Sequence, residues 1–162
     1  IEHGIFLNQN CLESMLEKNT FLVPTLSAVN NIYINKNNGI PNFIVEKTLR
    51  IRERHHKSIK MFYEAGGKIA MGTDAGTPFN VHGENLQELK FMNDLGISNK
   101  DALKFSTLNG ADLMGLSDRG KIREGYFADM LVVNGNPLED ISAVSNRDNH
   151  RIVIKNGTIV KN

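Results

Sequence analysis

The chain has 162 residues, 40% of them hydrophobic and 23% charged, and 19 basic against 18 acidic side chains leave a formal net charge of +1. That arithmetic describes one soluble globular unit, or slightly more, without the basic block that marks a nucleic-acid partner. No apolar run approaches the roughly 18 residues needed to span a bilayer, the first residues lack the charged-then-apolar pattern of a signal peptide, and a lone Cys11 excludes an internal disulfide framework.

In chain order, Ile1 to Leu7 reads as a short strand. Because the sequence opens on Ile in the middle of that run, polypeptide is expected to precede it. Asn10 and Glu13 have the spacing of a capping box, predicting a helix with Leu12, Met15 and Leu16 on its apolar face and Asn19 at its end. Phe21 to Leu26 is a continuous apolar run of the kind found in buried parallel strands, although Pro24 removes a ladder donor. Ser27 to Pro41 is rich in Asn, lacks a clear period and is expected to be a lid-like loop. A long helix is predicted over 42–65, with Val45, Leu49, Ile59, Phe62 and Tyr63 on one face and Gly66-Gly67 closing it.

A third strand is predicted over 68–75, followed by a loop to Gly83 and helices at about 85–95 and 99–114, the second capped by Ser98 and Asp101. Strands alternating with helices imply parallel pairing through right-handed crossovers. From Gly120 the pattern changes to short strands at Ile122, 130–133 and 152–160, with Asn156-Gly157 as a two-residue hairpin signal. The predicted architecture is α/β, with residues 1–118 forming the parallel part and 119–162 a small β element.

Asp74, in Gly72-Thr73-Asp74-Ala75-Gly76, lies at the carboxyl end of an apolar strand, where barrels and open α/β sheets place their chemistry. Its alternative role is to cap a turn. His3 holds the equivalent place on the first strand, and imidazole with carboxylate suits Zn²⁺ or a similar divalent ion, but two ligands are too few for a catalytic zinc. His82 follows on the same side and is a candidate substrate contact or a plain loop histidine. His55 and His56, between Arg54 and Lys57, read as a solvated helix face, and His150 as part of a polar turn. Cys11 has no evident base beside it. No phosphate loop or dinucleotide-binding turn is present, which argues against a nucleotide cofactor.

Several ordered signatures now matter together. They are Ile1-Glu2-His3-Gly4, Val23-Pro24-Thr25, Gly72-Thr73-Asp74-Ala75, and His82-Gly83-x-Asn85-x-x-Glu88-Leu89. Thr107-x-Asn109-Gly110-Ala111, Gly115-Leu116, and Gly120-x-Ile122-x-x-Gly125-x-x-Ala128-Asp129-Met130-Leu131-Val132-Val133 follow. Asn136-Pro137-Leu138-Glu139-Asp140-Ile141 and Val153-Ile154-Lys155-Asn156-Gly157 complete the series. In order and spacing the chain resembles the C-terminal part of the metal-dependent amidohydrolase superfamily, in its imidazolonepropionase-like and prolidase-like (dipeptidase) branch.

The resemblance implies a TIM (β/α)₈ barrel with a small β-sandwich, of which His3, Thr25 and Asp74 would end strands like the sixth, seventh and eighth. Residues 119–162 would be the returning part of the sandwich. A whole barrel takes about 250 residues, so the family's metal-binding His-x-His on the first strand, its lysine or glutamate on the fourth and its histidine on the fifth would precede Ile1. By the same comparison one or two divalent ions, Zn²⁺ by expectation, would be held in part by His3 and Asp74. Asp74 would also pass a proton from water to the leaving amine, and Thr25 and His82 would contact substrate.

The implied substrates are dipeptides or N-acyl amino acids, with imidazolone-type cyclic amides as the alternative. A reading from another class is a non-catalytic half-barrel that self-associates, since three parallel strands leave open edges and an uncovered apolar face. The expected protein is cytoplasmic and homo-oligomeric, takes a small amide as its partner, and binds neither nucleic acid nor membrane. The 162 residues by themselves are expected to be inactive.

Overall fold

The structure, a computed structural model, describes residues 1–162. Its elements in chain order are α1 (Gln9–Glu17), α2 (Leu26–Ile34), α3 (Asn42–Glu64), α4 (Gln87–Asp94), α5 (Asn99–Ser106), α6 (Leu108–Leu113), β1 (Met130–Val133), α7 (Ser142–Ser145), β2 (His150–Lys155) and β3 (Thr158–Lys161). None of the helices is long and apolar enough to cross a membrane.

The three N-terminal segments read as strands do pair in parallel, but through single bridges, Glu2 with Val23 and Leu22 with Ile69. Val23 N–H donates to Ile1 O at 2.9 Å and His3 N–H to Val23 O at 2.8 Å, while Leu22 N–H donates to Lys68 O at 2.9 Å and Ala70 N–H to Leu22 O at 3.1 Å. The ladders are short because each segment soon leaves the extended region, at His3, Thr25 and Asp74, all with positive φ. Gly72 is required by close approach: a Cβ there would collide with the Val23 side chain.

The helices differ from expectation in instructive places. α1 is capped by Asn8, whose side chain accepts from Cys11 N–H at 2.9 Å, rather than by Asn10, though Asn19 does take the left-handed conformation beyond its end. The Asn-rich stretch expected to be a loop contains α2, whose inner face carries Leu26, Val29, Asn30 and Asn31. Two buried asparagines blur its hydrophobic period. α3 buries Thr48, His55, Ser58, Ile59 and Phe62, whereas Leu49 points outward. It ends as its glycines predict, with Gly66 N–H on Tyr63 O and Gly67 N–H on Phe62 O, each at 2.9 Å. The helix expected over 99–114 breaks at Thr107 into α5 and α6. Ser98 caps α5 as predicted, accepting from Asp101 N–H at 3.1 Å.

The C-terminal sheet has the order β1-β2-β3, all antiparallel, with Leu131 opposite Val153 and Lys155 opposite Thr158. Asn156 and Gly157 both have positive φ, as a tight hairpin turn between β2 and β3 needs. Ile122, expected in a strand, is instead 91% exposed and outside every strand.

The core lies where α1, α3, α4 and α5 cover the parallel segments, and Leu22, Ile59, Phe62, Ile69, Leu89 and Met92 are fully enclosed there. Ile141 and Val144, flanking and within α7, join the same cluster. A Cβ on Gly67 would collide with the Phe62 ring, which fixes how the chain turns from α3 into the third segment. Truncating the central ring, Phe62→Ala, is expected to cost about 3–5 kcal/mol in urea unfolding; a loss below about 1 kcal/mol would contradict the central place given to Phe62.

Candidate active site

The three parallel segments present their last residues at one end. His3 has φ 63°, Thr25 φ 51° and Asp74 φ 55°. Left-handed backbone is uncommon outside glycine and a genuine outlier for a β-branched residue such as Thr25. Strain of this kind costs roughly 1–3 kcal/mol per residue and concentrates at functional sites.

His3 is exposed, and its Nδ1 lies 2.6 Å from Thr25 Oγ1. That contact occupies one ring nitrogen and leaves Nε2 free. Thr25 is only 3% exposed, so its hydroxyl faces His3 from within the protein. The geometry is that of a residue that orients the imidazole, a use its position in the sequence did not reveal.

Asp74 is exposed as well, and the turn after it is built from its backbone rather than its carboxylate. Asp74 O accepts from Thr77 Oγ1–H at 3.1 Å and from Asn80 Nδ2–H at 3.0 Å, and Asn80 Nδ2–H also donates to Thr73 O at 2.5 Å. Asn80, 4% exposed, thus does the capping considered for Asp74, whose carboxylate stays free. His82 is exposed and comes back over this turn: a Cβ on Gly76 would lie 3.7 Å from His82 Nε2. No hydrogen bond joins His82 to His3 or Asp74.

The donor set can be tested against a divalent ion. His3 offers a free imidazole nitrogen backed by a hydrogen bond, and Asp74 a carboxylate with no protein partner, both suitable ligand types. They fit as part of a ligand set, and no group of three or more His, Cys, Asp or Glu side chains forms anywhere in the chain.

Two buried ionisable residues stand behind these ends. His55 is fully buried, contrary to the solvated helix face read for it: α3 turns this residue inward, and its Nε2 lies 2.9 Å from both His3 O and Pro24 O. Burial lowers its pKa below the usual histidine value. The neighbouring His56 is half-buried, with Nε2 3.1 Å from Asn30 Oδ1, and burial, Arg52 and His55 bring its pKa down to about 4.

Glu88 of α4 is fully enclosed. Its Oε1 accepts from Leu26 N–H at 2.7 Å, and its Oε2 accepts from Ser27 N–H at 2.7 Å and Ser27 Oγ–H at 2.6 Å. Those are the first amides of α2, which has no cap from its own side chains. Burial pushes the Glu88 carboxyl up to about 7, opposed by the Ser27 and Leu26 donors. The motif around His82 contained Glu88, but nothing local in the sequence pointed to its partners.

The remaining candidates are structural or solitary. His150 Nε2 lies 2.8 Å from Val144 O, and Cys11 is exposed and free. A cavity of about 680 Å³ is lined by residues such as Phe21, Lys68, Phe105 and Tyr126 near the starts of the parallel segments and includes none of the site residues.

A family model described as the amidohydrolase family matches residues 2–160. The chain is 29% identical to ochratoxinase from Aspergillus niger over 164 residues, covering 99% of this chain and 33% of that protein. It is 30% identical over 116 residues to imidazolonepropionase from Kosmotoga olearia, covering 68% of this chain and 27% of the other. A solved Xaa-Pro dipeptidase with methionine bound in its active site superposes with a TM-score of 0.87 and 34% identity, covering 100% of this chain and 39% of that one. The chain therefore spans about a third of the ochratoxinase and about two fifths of the solved dipeptidase.

The raised Glu88 pKa fixes a sign. Between about 4.5 and about 7 the folded state keeps a proton that the unfolded chain releases, so this group's contribution to stability falls as pH rises through that window. Relative to Glu88→Gln, the wild type is expected to lose stability over this range, with a limiting slope of ~1.4 kcal/mol per pH unit. Denaturant midpoints measured for both proteins at several pH values check this, and parallel curves would contradict it.

Proposed function

The chain belongs to the amidohydrolase family, and we propose that it supplies His3 and Asp74 to the divalent-metal centre of an enzyme that hydrolyses the C–N bond of dipeptides or N-acyl amino acids. The observation that carries this reading is that two unengaged donor groups, the His3 imidazole Nε2 and the Asp74 carboxylate, stand at the same end of the parallel segments, each on left-handed backbone. A catalytic zinc takes about three protein ligands and keeps one open position, so polypeptide outside residues 1–162 is proposed to supply the rest.

A bound divalent ion would polarise the scissile carbonyl and make water a nucleophile at neutral pH. His3 offers Nε2 while Thr25 keeps the ring in place. Asp74, whose carboxylate is not used by the turn that carries it, takes a proton from water and returns it to the leaving amine. His82, exposed and lying over the same turn, borders the substrate, whereas Thr25 is buried and acts through the ring of His3 rather than as the substrate contact expected of it. A linear amide is favoured over a cyclic one because the match to the Xaa-Pro dipeptidase runs over the whole chain, whereas that to imidazolonepropionase covers 68% of it. Zn²⁺ is the proposed ion on the chemistry of an imidazole–carboxylate pair.

Assaying the 162-residue chain with excess Zn²⁺ against a panel of dipeptides and N-acyl amino acids is expected to give no turnover above buffer. Robust turnover with stoichiometric metal would show that the site is complete without further ligands. In the assembled enzyme, Asp74→Asn is expected to lower kcat at least ~10²-fold, the scale of a lost general acid–base group. A near-normal kcat would remove Asp74 from the proton transfer.

A further inference from the structure

We propose that His55 is a positioning residue for His3, clamping the ends of the first and second parallel segments together from beneath through one ring N–H shared between His3 O and Pro24 O. The proposal rests on the reading of His3 as a metal ligand. Its own basis is geometric.

Both carbonyls lie 2.9 Å from His55 Nε2. A carbonyl only accepts, so Nε2 carries the proton, and neither oxygen accepts from a backbone N–H. Nδ1 of the same ring is buried with no partner, as the bare acceptor of a neutral Nε2–H ring would be.

The two carbonyls sit where the backbone changes hand. One belongs to His3, at φ 63°, and the other precedes Thr25, at φ 51°. The same two residues meet above through His3 Nδ1 and Thr25 Oγ1 at 2.6 Å. The side-chain contact on one side and the shared N–H on the other therefore constrain one pair of strained residues. One helical turn further along α3, Ser58 Oγ–H donates to Ile5 O at 3.0 Å, so the helix is stitched to the first segment twice. His55 alone also reaches the second segment.

The test uses ¹⁵N-histidine NMR on the full chain, wild type and the variants His55→Phe and His55→Gln. In the wild type the His55 ring is expected as a single Nε2–H tautomer with Nδ1 bare, and the His3 ring as one tautomer. His55→Phe fills the space without a donor and is expected to leave His3 in a mixture of tautomers. His55→Gln, which keeps an amide N–H, is expected to restore the single form at least in part. A wild-type proton on Nδ1 of His55, an unchanged His3 signal in His55→Phe, or a His55→Gln variant that behaves like His55→Phe each overturns the proposal. If His55→Phe does not fold, the wild-type signature and His55→Gln still decide.

Titration of Zn²⁺ into the assembled enzyme carrying the same substitutions, where the remaining ligands are present, separates the two readings. Weakening of about 10- to 100-fold in His55→Phe, the scale for loss of a group that orients a metal ligand, supports the clamp. Absence of any Zn²⁺-induced change at His3 in the wild type overturns the ligand reading and leaves the clamp to the tautomer result.

Discussion

The carboxylate of Glu88 is enclosed on all sides, and three donors from a single turn of chain converge on it. An unpaired charge in that position would be too costly to keep, and three short hydrogen bonds make it tolerable only while Leu26 and Ser27 stay where they are. The turn that satisfies Glu88 begins immediately after Thr25. α4 thereby fixes the start of α2, the start of α2 fixes Thr25, and Thr25 holds the ring of His3. One buried carboxylate ties the packing of the helical layer to the direction of an exposed imidazole.

The same logic explains why the site sits on strained backbone. His3, Thr25 and Asp74 each turn left-handed at the point where parallel pairing stops. Such residues persist only where their surroundings over-determine them. Here Glu88, His55 and Asn80 do so, each burying its polar groups against the backbone beside one or two of those residues. The exposed side chains at the strand ends are consequently free of structural duties, with Asp74 the clearest case.

Much of this was legible in the residues themselves. The parallel order of the first three segments, the length and glycine stop of α3, the Ser98 cap and the Asn156-Gly157 hairpin follow from local patterns, and local patterns survive without knowledge of the rest of the fold. What failed depended on distant partners. α2 was hidden because its cap comes from a glutamate 62 residues away and because its inner face buries Asn30 and Asn31. His55 sits among Arg54, His56 and Lys57, a run that reads as solvated, and only its approach to carbonyls on two other segments shows that it faces inward. Asn80, likewise, declares its role only once the turn around Asp74 is closed.

Membership of the amidohydrolase family and the free donors at His3 and Asp74 support the proposed account, in which both side chains contribute to a centre of one or two divalent ions whose other ligands are proposed to lie outside residues 1–162. Anomalous diffraction at the zinc absorption edge, from crystals of the Zn²⁺-loaded protein that carries this chain, tests that most directly. The account predicts zinc at about 2.0–2.2 Å from His3 Nε2 and zinc, the same ion or a second one, at a like distance from an Asp74 carboxylate oxygen. Zinc bound elsewhere, with His3 and Asp74 both outside its coordination sphere, would contradict it.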